Sequence, residues 1–268
     1  MSDAVRAGRW WGETPLTAGG LRAWRIGPYR LWVRATAREW RLWSFASGDA
    51  MEDGVTLAIE ADEAELPANA GVTRVGLAVD APVLVLKPAP ADRDVVVRPD
   101  IPVVVPSGVR LDLYLTTAVW VVATAGPGGP TLLDQPSHRL SDTWFGPNTL
   151  EGELAYAIRT AARLELEEIP HRPHRAITKV TVVNGTRDAF PLEKLKVPVA
   201  ALALYASPET GLWTDHVTLE RRQATDEAEA SVGSGPGVPG VRAERVAEPR
   251  VTTTPRFSLN AFGRLLGV

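Results

Sequence analysis

The chain has 268 residues, 45% of them hydrophobic, with 29 basic and 32 acidic side chains and a formal net charge of −3. That is enough apolar material for one large core or two smaller ones, and the near-balance of charge supplies neither the basic field of a nucleic-acid binder nor the acidic excess of a polyanion mimic. Cysteine is absent, which excludes disulfides, thiolate metal sites and a cysteine nucleophile and fits a reducing compartment.

The opening Met1-Ser2-Asp3-Ala4-Val5-Arg6 lacks the apolar stretch of a signal peptide. Nowhere do about 18 apolar residues run without a charge or a proline cluster, so no integral membrane segment is expected and the chain reads as cytoplasmic. Trp10, Trp11, Trp24, Trp32, Trp40 and Trp43 then crowd among arginines. Tyr29-Arg30-Leu31-Trp32-Val33-Arg34 and Trp40-Arg41-Leu42-Trp43-Ser44-Phe45 read as paired strands, with Tyr29, Leu31 and Val33 on a core face and Arg30, Trp32 and Arg34 on the other. That second face is either ordinary Trp–Arg cover or a stacking platform.

From Val72 to Ala123 short apolar runs are punctuated by prolines, a spacing that helices do not tolerate. Val83–Leu86, Val95–Val97, Val103–Val105, Leu111–Leu115 and Val119–Val122 read as strands. Ala125-Gly126-Pro127-Gly128-Gly129-Pro130 is a connector, and it divides a Trp-rich N-terminal β subdomain (1–130) from a C-terminal one (131–222). The next segment, Ser141 to Gly152, packs two aromatics, two glycines, a proline and carboxylates into what reads as one rigid loop. There Trp144 and Phe145 either plug the end of a β core or wall a ligand site.

Glu151 to Glu168 is open between helix, which Ala155, Ala157, Ala161 and Ala162 favour, and strand, the preferred reading. Ala176–Val183 and Pro191–Pro198 read as strand, turn, strand around Asn184-Gly185, and Ala201–Tyr205 with Leu212–Leu219 as a hairpin. Residues 223–255, poor in large apolar side chains, read as a disordered linker. Residues 256–268 form an apolar, basic tail, with Phe262, Leu265 and Leu266 at one-turn spacing, expected as a short helix that docks a partner or packs back on its own domain. The expected fold is all-β, with sandwich-like antiparallel sheets in two packed subdomains.

No motif identifies a reaction. His171-Arg172-Pro173-His174 is short of a zinc ligand set. Asp142 with Glu151 or Glu153 is a carboxylate pair whose facing geometry a loop spacing does not establish. Nucleophile-elbow, phosphate-loop and dinucleotide signatures do not occur. No cofactor and no metal are expected.

Phe145-Gly146-Pro147, Gly152-Glu153-Leu154-Ala155-Tyr156, Val180-Thr181-Val182-Val183-Asn184-Gly185-Thr186, Leu192, Leu195, Pro198, Leu204-Tyr205 and Trp213-Thr214 occur in an order that resembles an uncharacterised prokaryotic family, domain of unknown function 432. The resemblance is firm over about Leu140 to Leu219 and looser over the Trp-rich half. It implies a β-rich fold and no activity. Members are sometimes encoded near small mechanosensitive channels, so it also implies a membrane-associated protein partner as an option.

The reading is a non-enzymatic β-scaffold interaction or adaptor protein that docks a partner through its tail. The binding residues are Asp142, Trp144, Phe145, Gly146 and Arg159 in the first region and Phe257, Phe262, Leu265 and Leu266 in the tail. The alternative is a carbohydrate or small-ligand binding module built on exposed Trp24, Trp32, Trp40, Trp43 and Trp144. No nucleic-acid partner is expected, and unpaired edge strands would allow a homodimer.

Overall fold

The computed structural model describes residues 9–77, 81–99, 101–146, 150–158, 162–254 and 256–263. Their regular structure is β-strand, interrupted by single turns of 3-10 helix, as the proline spacing and strand-length apolar runs require. The chain divides into two compact units, Met1–Ala89 with Ala118–Arg139 and Arg172–His174, and Pro90–Thr117 with Leu140–His171 and Arg175–Val268.

The first unit starts with β1 (Gly12–Pro15), β2 (Leu21–Ile26), β3 (Tyr29–Ala35), β4 (Trp40–Ala46), β5 (Val55–Glu60), β6 (Gly71–Val75) and β7 (Val83–Ala89). The chain gives β8 (Val95–Val97), β9 (Val103–Val105) and β10 (Arg110–Ala118) to the second unit and returns for β11 (Trp120–Ala125) and β12 (Thr131–Pro136). The second unit continues with β13 (Ser141–Phe145), β14 (Glu153–Ala157), β15 (Arg175–Asn184), β16 (Phe190–Leu192), β17 (Lys194–Val197), β18 (Leu204–Ser207) and β19 (Gly211–Thr214). It closes with β20 (Val217–Arg221), β21 (Glu227–Val232), β22 (Glu244–Ala247), β23 (Arg256–Asn260) and β24 (Phe262–Gly263).

In the first unit the sheets run β5-β2-β3-β4-β6 and β1-β7-β11-β12. The expected β3–β4 pair forms, with Trp32 opposite Trp43, and Tyr29, Leu31 and Val33 are buried. The other face is no stacking platform, because Trp32 is buried there against Leu21 and Ala23, with Trp43 and Phe45 packed alongside. The Gly126 to Pro130 connector is the turn of the β11–β12 hairpin, so it lies within one sheet and does not separate subdomains. Gly126 and Gly128 both have positive φ there, which glycine adopts without strain.

The largest sheet of the second unit runs β22-β18-β19-β15-β20-β21-β23, with β10 also on β15. Its central strand β15 pairs parallel with both β19 and β20, and eight of its ten residues are buried, as a strand covered on both faces requires. The expected hairpin forms only in part, as β18 with β19: the run Leu212–Leu219 breaks at Asp215-His216, and its second half, β20, joins the other side of β15. β15 itself makes no hairpin with the segment after Asn184-Gly185. The Asn184 side chain donates to the carbonyls of Val105 and Asp188 and accepts from the backbone and hydroxyl of Thr186. That closed turn sends the chain away from β15, so β16 pairs with β9 and β17 with β8 and β24.

Residues 223–255 are not a free linker. β21 lies between β20 and β23, with Ala228 and Ala230 buried and Glu227 and Glu229 alternating with them, a period of two written in small residues. β22 pairs with β18. The tail is strand rather than helix from Arg256 through Gly263, since β23 pairs with β21 and β24 with β17. Leu265 and Leu266 lie outside the described residues, as does Arg159.

Candidate functional site

The segment expected as an irregular loop is a strand as far as Phe145. β13 and β14 form an antiparallel hairpin in which Asp142 faces Tyr156 and Trp144 faces Leu154. Two glycines close it, through close approach rather than positive φ. A Cβ on Gly146 would collide with the Glu151 carbonyl, and one on Gly152 would stand 2.6 Å from Nε1 of Trp144. The indole thus rests on the Gly152 backbone. Strand alternation then puts Asp142, Trp144, Leu154 and Tyr156 on one face, and Phe145, Glu153 and Ala155 on the other.

On the first face Trp144 is 49% and Leu154 47% exposed, so two directly paired apolar side chains stand in solvent. Polar groups flank them. Arg93 pairs with Asp142 at 3.1 Å and lies 5.3 Å from the Tyr156 ring centroid, while the Tyr156 hydroxyl donates to Asp92 at 2.9 Å. Burial, and then the Asp92 carboxylate, push the Tyr156 phenol up to about 12, so it remains a hydrogen-bond donor.

The opposite face is interior at Phe145 and Ala155 and opens to solvent at its end, where the Glu153 side chain is 66% exposed. The sheet runs β13-β14-β8-β17-β24, and it is rolled, because a Cβ on Gly263 at one edge would meet the Phe145 ring from the other edge at 3.3 Å. Phe145 packs with Val96 and Ala155. Lys196, paired with Val96 in register, is wholly buried. Its Nζ donates to Glu153 at 2.6 Å, stands 3.8 Å from Asp94 and lies 5.7 Å from the Phe145 centroid. Burial pushes the Asp94 carboxyl up to about 6; Lys196 pulls it down and Glu153 pushes it further up.

Of the expected residues, Asp142 and Trp144 share the exposed face, Phe145 belongs to the interior and Gly146 to the turn. Asp142 and Glu153 lie on opposite faces and do not form a facing carboxylate pair. The tail residues are elsewhere. Phe262 is 4% exposed and packs edge-to-face on Phe190 at 5.2 Å, and Phe257 is half-buried opposite Ala230. Of the five platform tryptophans, Trp24, Trp32 and Trp40 are buried and Trp43 half-buried, leaving Trp144 exposed. His174 is buried too, its ring against the Gly27 turn.

Sequence reasoning missed Asp94, Arg93 and Lys196. One signal was present: a lysine between Leu195 and Val197, in a strand of alternating residues, needs a partner if both faces are covered.

No curated protein matches the chain, and no solved structure does. No helix among the described residues is long and apolar enough to cross a membrane. The turn glycines, the buried Asn184 and the Phe145–Glu153 hairpin account physically for the residue pattern that carried the resemblance noted from sequence. The model of a family described as protein of unknown function, DUF432, matches residues 10–265, and the chain belongs to that family.

Proposed function

We propose that the protein is a non-enzymatic β-scaffold that binds a protein partner through the exposed face of the β13–β14 hairpin. The observation that supports this is Trp144, half exposed yet seated on Gly152 and paired with an equally exposed Leu154. An aromatic anchor held in one orientation loses little entropy on binding, and such anchors dominate protein interfaces. Arg93, Asp92 and Asp142 supply a polar rim. The hairpin takes the place of the tail as the docking element, because Phe262 is used inside the fold. The cysteine-free composition suits a cytoplasmic setting, and a membrane-associated protein is among the partners to be sought.

A second reading keeps the same face for a sugar or small ligand, since Trp144 and Tyr156 are diagonal neighbours beside Arg93 and Asp142. A photocrosslinker at Leu154, applied to soluble and membrane extracts, separates the two. The expected result is a discrete protein adduct that Trp144→Ala removes and that a crosslinker at exposed Val251 does not give. An adduct indifferent to Trp144→Ala refutes the proposal. Absence of any adduct, with saccharides shifting the Trp144 indole resonance, transfers the face to the second reading.

A further inference from the structure

We propose that Asp94, Lys196 and Glu153 form a proton-sensitive strut that sets the position of the Trp144 hairpin. β14 and β17 are not neighbours in the sheet, since β8 lies between them. Lys196 on β17 crosses that strand inside the rolled sheet to reach Glu153, the first residue of β14. Glu153 directly follows Gly152, on whose backbone the Trp144 indole rests, and it faces Phe145, the residue after Trp144. Any change in the grip of Lys196 on Glu153 is therefore transmitted to the indole through one peptide unit and one cross-strand pair.

Asp94 is what makes the grip variable. Its carboxylate, 3.8 Å from Nζ, competes with Glu153 for one ammonium, and the two carboxylates repel each other. From β17, Lys196 faces Asp94, with Lys194 next on the same side of that strand. From β14, Glu153 faces it. Arg98, beyond the end of β8, lies toward Lys194, whose ammonium is held below its ordinary range by burial and then by Arg98. Arg93, Asp92 and Tyr156 belong to the other face. Burial moves the Asp94 titration from the ordinary 3.8 to about 6. The folded protein therefore takes up this proton as pH falls through about 6, well above the pH at which an unfolded chain does. Above that pH Lys196 is shared between two carboxylates; below it Asp94 is neutral and Lys196 is held by Glu153 alone. The strut tightens on acidification, and this does not depend on what the Trp144 face binds.

The test follows the Trp144 indole N–H resonance, assigned with Trp144→Phe, in the full chain between pH 4.5 and 8. The expected result is a chemical-shift step with a midpoint near pH 6 that Asp94→Asn abolishes. Lys196→Met, which replaces the buried cation by an apolar chain of similar length, abolishes it as well. A step that persists in Asp94→Asn comes from a histidine instead and overturns the proposal, as does a flat profile in the native chain. Direct observation of the Asp94 side-chain carboxyl carbon in the unsubstituted protein stands even if a variant fails to fold, and a midpoint near 4 there refutes the strut.

Discussion

Replacing Phe262 by alanine removes the side chain through which the C-terminal segment enters the core of the second unit. Phe262 is 4% exposed, stands opposite the fully buried Leu195 and meets Phe190 edge-to-face at 5.2 Å. The backbone N–H groups of Ala261 and Phe262 both donate to the Asp226 carbonyl, so the strand is pinned and cannot slide inward to fill the void. Truncating a buried phenylalanine in such a site costs about 3–5 kcal/mol, cavity included, of which the ring pair accounts for about 0.5–1.5 kcal/mol. At about 2–4 °C per kcal/mol for a unit of this size, the expected fall in melting temperature is about 6–20 °C. Calorimetry at neutral pH measures it, with Phe257→Ala as the internal comparison. Phe257 is only half-buried, so its loss is expected to cost about 1–2 kcal/mol. The reasoning is refuted if Phe262→Ala melts within error of the parent, or if Phe257→Ala proves the more damaging, since either result would mean that the segment is not inserted as described.

Two further perturbations probe local features. Gly152→Ala is expected to destabilise by about 1–3 kcal/mol through overpacking and to displace the Trp144 indole resonance, because the added Cβ would fall 2.6 Å from Nε1 and 2.8 Å from the Phe145 carbonyl; urea unfolding and a two-dimensional NMR spectrum read both effects. In the first unit the Arg30 guanidinium, then Ser47 and Arg25, hold the Glu52 carboxyl down at about 2, so its contribution to stability is present above about 4.5 and is lost as pH falls toward 2. Glu52→Gln is expected to flatten the acid limb of the stability profile, and an unchanged limb would show that the arginine cluster is not coupled to folding.

What was legible in the sequence depended on the range of the interaction that fixed it. β3 and β4 could be read directly, because Tyr29, Leu31 and Val33 alternate within one short run and the partner strand follows at once. β21 could not, since Ala228 and Ala230 carry the period of two in side chains too small to register as a core pattern, although both are buried. The tail misled for a related reason. Phe262, Leu265 and Leu266 suggested a helical turn, whereas Phe257 and Leu259 already alternate as a strand that the distant β21 receives. Asn184-Gly185 was correctly a turn, but the hydrogen bonds of Asn184 to residues 79 positions earlier and 4 later decide where the chain goes next, and a local dipeptide does not contain that.

The candidate site divides along the same line. Asp142, Trp144 and the two turn glycines were visible as an unusual local cluster, and they do belong to one hairpin. The groups behind it come from β8 and β17, 43 residues from Glu153 in the case of Lys196. A lysine without exposed surface is an expensive way to fill the interior of a rolled sheet, because desolvation of the ammonium offsets most of its attraction to Glu153 and Asp94, and an apolar chain of equal volume would serve stability as well or better. Its presence therefore argues for position over stability. Nζ fixes the start of β14 relative to β17, Gly152 carries that position to the indole, and the opposite face of the same two strands presents Trp144 and Leu154 to solvent. A hairpin that needed only to cap a core would require neither the glycine seat under an exposed tryptophan nor a buried cation behind it, and the two meet at adjacent residues, Gly152 under the indole and Glu153 on Nζ of Lys196; that conjunction is the ground for proposing this hairpin as the partner-binding part of the fold.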